Sequence, residues 1–299
     1  MINGMMGRAV GALDPRFVLT LLMPVLVFWS GVAALFTKSS HWAGWAGHWN
    51  DLAGLQQVLV VTATTGVLIL FATIVGHHVI PIMRIFEGYW GRNRLAEAAN
   101  RLATGFQQSR WRRIRNNPDQ YTRRYQQFPV RETDLRPTRF GNVVRAAETY
   151  ATDERRYGMD AVFFWPRLLA VMPDGTRALL ANARAGMELM VITSALATVL
   201  TVASLILGPL MNVPASTWLS TAIAAALVAR ITYTAAVRSA DTYGELVRTS
   251  FDLYRRDLLR SMGFKPPQDL PAERALWKAI GQQLYRRGAD NEELLVFGD

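Results

Sequence analysis

The stretch VLVVTATTGVLILFATIVGHHVI, residues 58–80, runs for 23 positions without an Asp, Glu, Lys or Arg. A helix needs about 20 apolar residues to cross the ~30 Å hydrocarbon layer of a bilayer, so this stretch reads as a membrane span. Residues 17–36, 189–208 and 218–237 match it, and only the last of these carries a charge, Arg230. The pattern predicts an all-α integral membrane protein of four helices, arranged as two transmembrane hairpins, with helical central and C-terminal segments outside the bilayer.

The basic residues orient these spans. Residues 1–16 hold two of them, the connection 37–57 holds only Lys38, and the connection 209–217 holds none. The segment 81–186 holds 19 and the segment 238–299 holds ten. Basic residues beside membrane ends stay in the cytoplasm. Both termini, the arginine-rich domain 81–186 and the helical region 238–299 are therefore expected in the cytoplasm, with the two short connections outside. Four spans return the chain to its starting side, as this assignment requires.

In this setting the net charge of +10 is the sign expected of loops beside anionic lipid and does not imply nucleic acid. Thirty of the 33 basic residues are Arg, the residue suited to bidentate contact with carboxylate or lipid phosphate. A GC-rich genome produces the same bias. The chain has no Cys, which excludes disulfides, thiolate metal sites and a Cys nucleophile. The first span is 20 residues long with no small-residue cleavage site after it, so it reads as a retained helix rather than a signal peptide. The small and hydroxyl residues of the second and fourth spans suit close helix packing and mark them as the buried helices of the bundle. The bulkier first and third spans are expected to face lipid more.

Beyond the membrane, Pro81 is expected to kink or end the second span, followed by a helix over 82–106. Its apolar positions Ile85, Tyr89, Leu95, Ala99, Leu102 and Phe106 recur near helical spacing. Residues 107–137, with three prolines, read as loop or short irregular helices. Asn142 reads as the cap of a helix over 143–150, and Asp160 as the cap of another from Ala161. The apolar run 161–172 contains Pro166 and Arg167 and is too interrupted to span; it is either a small-domain core or an interfacial segment. Asp174 reads as the cap of a long helix entering the third span. The fourth span is expected to continue unbroken to about Arg260. Pro271 then opens a last helix with an apolar stripe at Ala275, Leu276, Ile280 and Leu284, ahead of a loose tail bearing Glu292, Glu293 and Asp299. The balanced C-terminal segment and the +9 central one are expected to pack together.

Three constellations carry possible chemistry. His77, His78, Glu188 and Arg230 lie toward the inner end of the bundle, where they would gate an ion path or sense pH. The plainer reading is that Arg230 snorkels, Glu188 caps a helix and the histidines rest in the interface. In the outer loop, Trp42, Trp45 and Trp49 would share one face of a helix and His41 and His48 another. That spacing suits an aromatic belt better than a metal, and no cofactor is expected. Arg110, Trp111, Arg112, Arg113 and Arg115, with Tyr121, Arg123, Arg124 and Tyr125, interleave charge and aromatics. Such a set binds anionic lipids or an acidic cytoplasmic protein in preference to nucleic acid.

Phosphate-binding, metalloprotease, nucleophile-elbow and dinucleotide motifs are all missing. The densest polar stretch is PTRFGN, 137–142, followed by RAAE, 145–148, RYGMD, 156–160, and WPRL, 165–168. It resembles a pattern in uncharacterised multi-pass membrane proteins of actinobacteria and other bacteria. The resemblance covers about 30 of 299 residues, implies a bacterial inner-membrane location and implies no activity. Within it, Arg139, Asn142, Arg145, Glu148, Arg156, Asp160 and Arg167 form either a buried ion-pair network or an anion site. The leading expectation is a non-enzymatic, homo-oligomeric scaffold, sensor or effector acting through its cytoplasmic domain. An oligomeric channel gated near the inner end of the bundle, and a membrane-bound enzyme with its site near 139–167, are the alternatives.

Overall fold

A computed structural model describes residues 18–39, 42–286 and 295–296, without the side chains of residues 19 and 121–123. The N-terminal segment 1–16, Phe17, His41 and the acidic tail residues Glu292, Glu293 and Asp299 lie outside the described residues. The described residues are all-helical, with no strand among them. A π-helical turn, Val18–Leu22, leads into α1 (Met23–Phe36). There follow α2 (Trp42–Asp51), α3 (Gly54–His77), α4 (Val79–Glu87), α5 (Arg94–Arg115), α6 (Pro118–Arg124) and α7 (Arg139–Glu148). The last four are α8 (Ala161–Val171), α9 (Asp174–Leu210), α10 (Ala215–Ser261) and α11 (Leu270–Arg286). Three helices, α3, α9 and α10, are long and apolar enough to cross a membrane, and the apolar stretch Thr20–Phe36 is shorter.

The chain divides into two units, Met1–Arg84 with Ala185–Ala236, and Ile85–Arg184 with Val237–Asp299. In the first unit Val25 of α1, Ala72 and Val75 of α3 and Ile192 and Leu196 of α9 form a core. Phe71 stacks on Phe28 at 6.1 Å and meets Trp29 edge-on at 5.7 Å. The burial order differs from the expectation. Only 6% of the most apolar window of α3 is buried, against 33% for α9 and 22% for α10. Small residues permit close packing without compelling it, whereas Ile192, Leu196 and Leu200 of α9 have the bulk to fill the space between neighbours. The α3 hydroxyls need no outside partner: Thr62, Thr64, Thr65 and Thr73 each donate to the carbonyl four residues back, at 2.8–2.9 Å.

The expected helix over 82–106 is two helices. The first break falls at His78 (φ −97°) rather than at Pro81, which sits in the first turn of α4 where its missing N–H costs nothing. The second break is at Gly88 and Gly91, both at φ +99°, a conformation that glycine alone adopts freely. A Cβ on Gly88 would lie 2.2 Å from the Pro137 ring. Asn93 then caps α5 by accepting from the Ala96 N–H at 2.8 Å. α5 runs to Arg115, nine residues beyond the expected end at 106, so part of the expected loop is helix.

Asn142 caps nothing. Thr138 is the cap of α7, accepting from the Gly141 N–H at 2.9 Å, because a helix begins where a hydroxyl can reach the free N–H groups, and Phe140, Gly141 and Asn142, ahead of the expected start, are already buried within the helix. Asp160 does cap α8, accepting from Phe163 N–H at 3.1 Å. α8 is core: Phe164, Leu168 and Met172 pack with Phe251, Leu258 and Leu259 of α10 and with Leu276, Trp277 and Ile280 of α11. Phe164 meets Trp277 at 5.0 Å, edge to face. Each fully buried large side chain contributes about 1.5–3 kcal/mol, so this cluster holds the central and C-terminal segments of the second unit together chiefly by apolar burial. α10 runs unbroken over 47 residues.

Candidate functional site

α5 builds the site by presenting different residues on different sides. Trp111 and Ile114, one helical turn apart, pack with Phe128 and Leu135 into a small core. The prolines at 118 and 129 turn the chain so that Phe128 returns to α5, and the Arg112–Glu132 pair at 2.6 Å fastens the return. Arg110 lies over the Phe128 ring at 5.5 Å and Arg115 over the Trp111 ring at 4.8 Å. Trp111 is 6% exposed and offers no stacking platform to a nucleic acid. The side chain of Arg123 lies outside the described residues.

Beside this small core is a cavity of about 410 Å³. Trp111, Ile114, Phe128 and Pro129 give it an apolar lining, and Arg124, Arg155, Arg156 and Asp153 give it a charged one, with Tyr125 and Val130 completing it. The loop carrying Arg155 and Arg156 is held from several sides. The Asp153 carboxylate accepts from the Arg155 N–H at 3.0 Å. Arg274 of α11 donates to the Arg156 carbonyl at 2.9 Å and the Arg155 carbonyl at 3.1 Å. The Arg156 guanidinium donates to Tyr150 Oη at 2.7 Å and lies 4.0 Å from the centre of that ring.

Behind Arg156 stands a cluster that sequence reasoning did not assemble. Tyr150 donates to Asp252 at 2.9 Å and Tyr157 donates to it at 2.8 Å. Burial, and the hydrogen bond to Asp252, push both phenols above their ordinary pKa. Arg255 lies over the Tyr157 ring at 4.0 Å and donates to Glu273 at 2.7 Å. Glu273 is fully buried and also accepts from Trp277 Nε1 at 3.4 Å. One signal was present in the sequence: Glu273 is an acid in register with Leu276, Trp277 and Ile280, the buried stripe of α11.

The expected seven-residue network does not form as one body. Arg145 pairs with Asp134 at 3.1 Å and Glu148 at 3.4 Å. Burial would lower its pKa, and the two carboxylates outweigh that and raise it. Arg156 joins Tyr150, Asp160 caps α8, and Arg167 donates to the Phe163 carbonyl at 3.0 Å while covering the Phe163 ring at 4.2 Å. Asn142 is fully buried among backbone groups, and Arg139 is half-buried at the start of α7. The reason is geometric: these residues sit on separate turns of α7, α8 and the intervening loop, and each finds its nearest partner locally.

In the first unit, His77 and His78 are exposed, with Nδ1 atoms 2.9 Å and 2.8 Å from the carbonyls of Thr73 and Ile74. Glu188 is half-buried and Arg230 is exposed. The tryptophans of α2 share a face as expected: Trp42, Trp45 and Trp49 stack in series at 5.1 Å and 5.7 Å. No trio of His, Cys, Asp and Glu able to hold a metal occurs among the described residues. Neither a protein-family model, nor a curated protein, nor a solved structure matches the chain.

Proposed function

We propose that the chain is a non-enzymatic, four-span protein of a bacterial cytoplasmic membrane, with both termini and the second unit in the cytoplasm. In this reading it works as a scaffold or sensor whose arginine-rich segment engages the anionic lipid of the inner leaflet. One observation carries it. Leu95, Leu102 and Phe106 on one side of α5 are 83%, 78% and 68% exposed. Their spacing of seven and four residues puts them in a single stripe. Arg110 flanks that stripe and Arg113 continues it, by the helical angle of about 100° per residue. An apolar stripe edged by arginine suits the plane of a membrane surface, where each basic residue gains about 1 kcal/mol from anionic lipid. The chain leaves α3 at His77, 17 residues before Arg94, so the bilayer is within reach of α5.

The cysteine-free chain makes the test direct. A spin label on Leu102→Cys, with the full chain in phosphatidylglycerol nanodiscs, is expected to be open to oxygen and shielded from a water-soluble nickel chelate. The shielding is expected to fall in phosphatidylcholine discs and in an Arg110→Glu, Arg113→Glu background. A label equally open to the chelate in both lipids removes the reading.

A further inference from the structure

We infer that the cavity beside Trp111 binds a small organic phosphate, a phosphomonoester on a planar or apolar body, the chemical class to which nucleoside monophosphates belong. The inference uses a different side of α5 from the lipid-facing stripe and stands or falls independently of it.

The cavity's volume of about 410 Å³ lies within the ~300–1,000 Å³ of small-molecule sites, which combine an apolar lining with a few placed polar groups. The lining has both parts. Trp111, Ile114 and Phe128 are 6%, 5% and 6% exposed, so the apolar wall is fixed by packing. Three arginines and one aspartate give the lining a net charge of +2. Asp153 spends its Oδ1 on the Arg155 N–H, which shapes the loop. Other arginines of this unit are neutralised in place: Arg112 by Glu132, Arg145 by Asp134 and Glu148, Arg255 by Glu273. Arg124 and Arg155 have no carboxylate partner among the described residues.

Three guanidinium groups around one apolar cavity repel one another unless an anion joins them. A phosphate dianion balances the +2 and accepts paired N–H donors, the recognition for which Arg is suited. Arg156 is already held in place by Tyr150, itself bonded to Asp252, so little side-chain freedom is lost on binding. An apolar wall gives inorganic phosphate nothing to gain, so the ligand has an organic body, and Tyr125 at 44% exposure adds an aromatic face. A lipid headgroup offers the same phosphate chemistry from another source, and the test separates the two.

The full chain in phosphatidylcholine nanodiscs is titrated calorimetrically with AMP, GMP, CMP and UMP, and with adenosine and inorganic phosphate. At least one nucleotide is expected to bind, with adenosine and phosphate at least about tenfold weaker. Arg124→Glu with Arg155→Glu, both at exposed positions, is expected to weaken the nucleotide at least about tenfold, the scale of one lost charged hydrogen bond. Val130→Trp, which fills the mouth, is expected to abolish binding. The inference is overturned if no nucleotide binds, if phosphate binds as tightly, if the doubly charge-reversed protein binds like the parent, or if phosphatidylglycerol discs displace the nucleotide, which would assign the cavity to a headgroup.

Discussion

The amide of Asn142 stands in for a stretch of backbone partners. Its Oδ1 accepts from the Arg136 N–H at 2.7 Å, and its Nδ2 donates to the carbonyls of Arg136 at 3.0 Å and Thr138 at 2.9 Å. The residue is fully buried, so no water replaces these bonds when they are lost. Asn142→Ala is expected to cost about 3 kcal/mol and to lower the Tm by roughly 5–10 °C. Asn142→Asp, which turns a carboxylate oxygen toward both carbonyls in a fully buried site, is expected to cost more than the Ala variant. An unchanged Tm for the Ala variant would show that the segment before α7 finds its partners elsewhere. The tyrosines on Asp252 set a second expectation. Burial and that hydrogen bond raise both phenols above the ordinary 10.0 of the unfolded chain. Stability from a raised group is complete below the unfolded value and is lost as pH rises past it toward the folded one. Unfolding midpoints should thus hold up to about pH 10 and decline above it, and Tyr150→Phe with Tyr157→Phe should flatten the decline. Parallel declines would assign it to other groups. Arg156 was legible in the sequence as a site residue. Its support was not, because Asp252 lies 102 residues from Tyr150 and periodicity carries no information about which helices meet.

Among the elements, α7 is placed by a glycine. A Cβ at Gly141 would lie 2.1 Å from the Glu87 carbonyl oxygen and 2.9 Å from Thr138 Oγ1. The first contact is backbone and cannot swing aside. Gly141→Ala therefore forces α7 away from the end of α4 and strains the 2.6 Å bond from Thr138 Oγ1 to the Phe86 carbonyl. Overpacking of this kind costs about 1–3 kcal/mol, more than the 0.5–1 kcal/mol or so that alanine gains in a helix interior. Gly105 in α5 has nothing within 4 Å of a Cβ, so Gly105→Ala should be stabilising by that smaller amount. Denaturant titration of the two variants should give opposite signs. The same sign for both would mean that propensity, not the α4–α7 contact, governs α7. Elements set by local chemistry were legible: α10 has no proline to stop it, and Asp160 precedes an apolar run. The α4–α5 break was not, since Gly88 takes its positive φ against Pro137, 49 positions away. The spacing of Leu95, Leu102 and Phe106 predicts helix, but periodicity cannot say whether a stripe meets a core or stays open, and this one is exposed.

For the molecule as a whole, the proposed count of four crossings turns on the first helix. Thr20–Phe36 has 17 residues, which at about 1.5 Å per residue span roughly 26 Å against a hydrocarbon layer of ~30 Å. A bilayer thins to accommodate a short span at a fraction of a kcal/mol per Å, and the π-helical turn Val18–Leu22 extends the helix at its start. Candidate membrane spans are legible in sequence because apolar length and absence of charge are local properties, and the orientation expected from the basic residues is testable by labelling. Lys38 is the only basic residue between the first two spans, and 19 follow the second, so 37–57 and 81–186 should face opposite sides however the first helix behaves. The position that discriminates is the N-terminus. Four crossings put it with the arginine-rich segment; three put it with Lys38. In the cysteine-free background, Lys38→Cys and Asn212→Cys should react with a membrane-impermeant maleimide on intact spheroplasts. Arg113→Cys, Lys265→Cys and Gly4→Cys should react only after permeabilisation. Labelling of Gly4→Cys on intact cells alongside Lys38→Cys would reduce the bundle to three spans and leave α1 on the outer surface, its apolar face turned to the bilayer rather than through it.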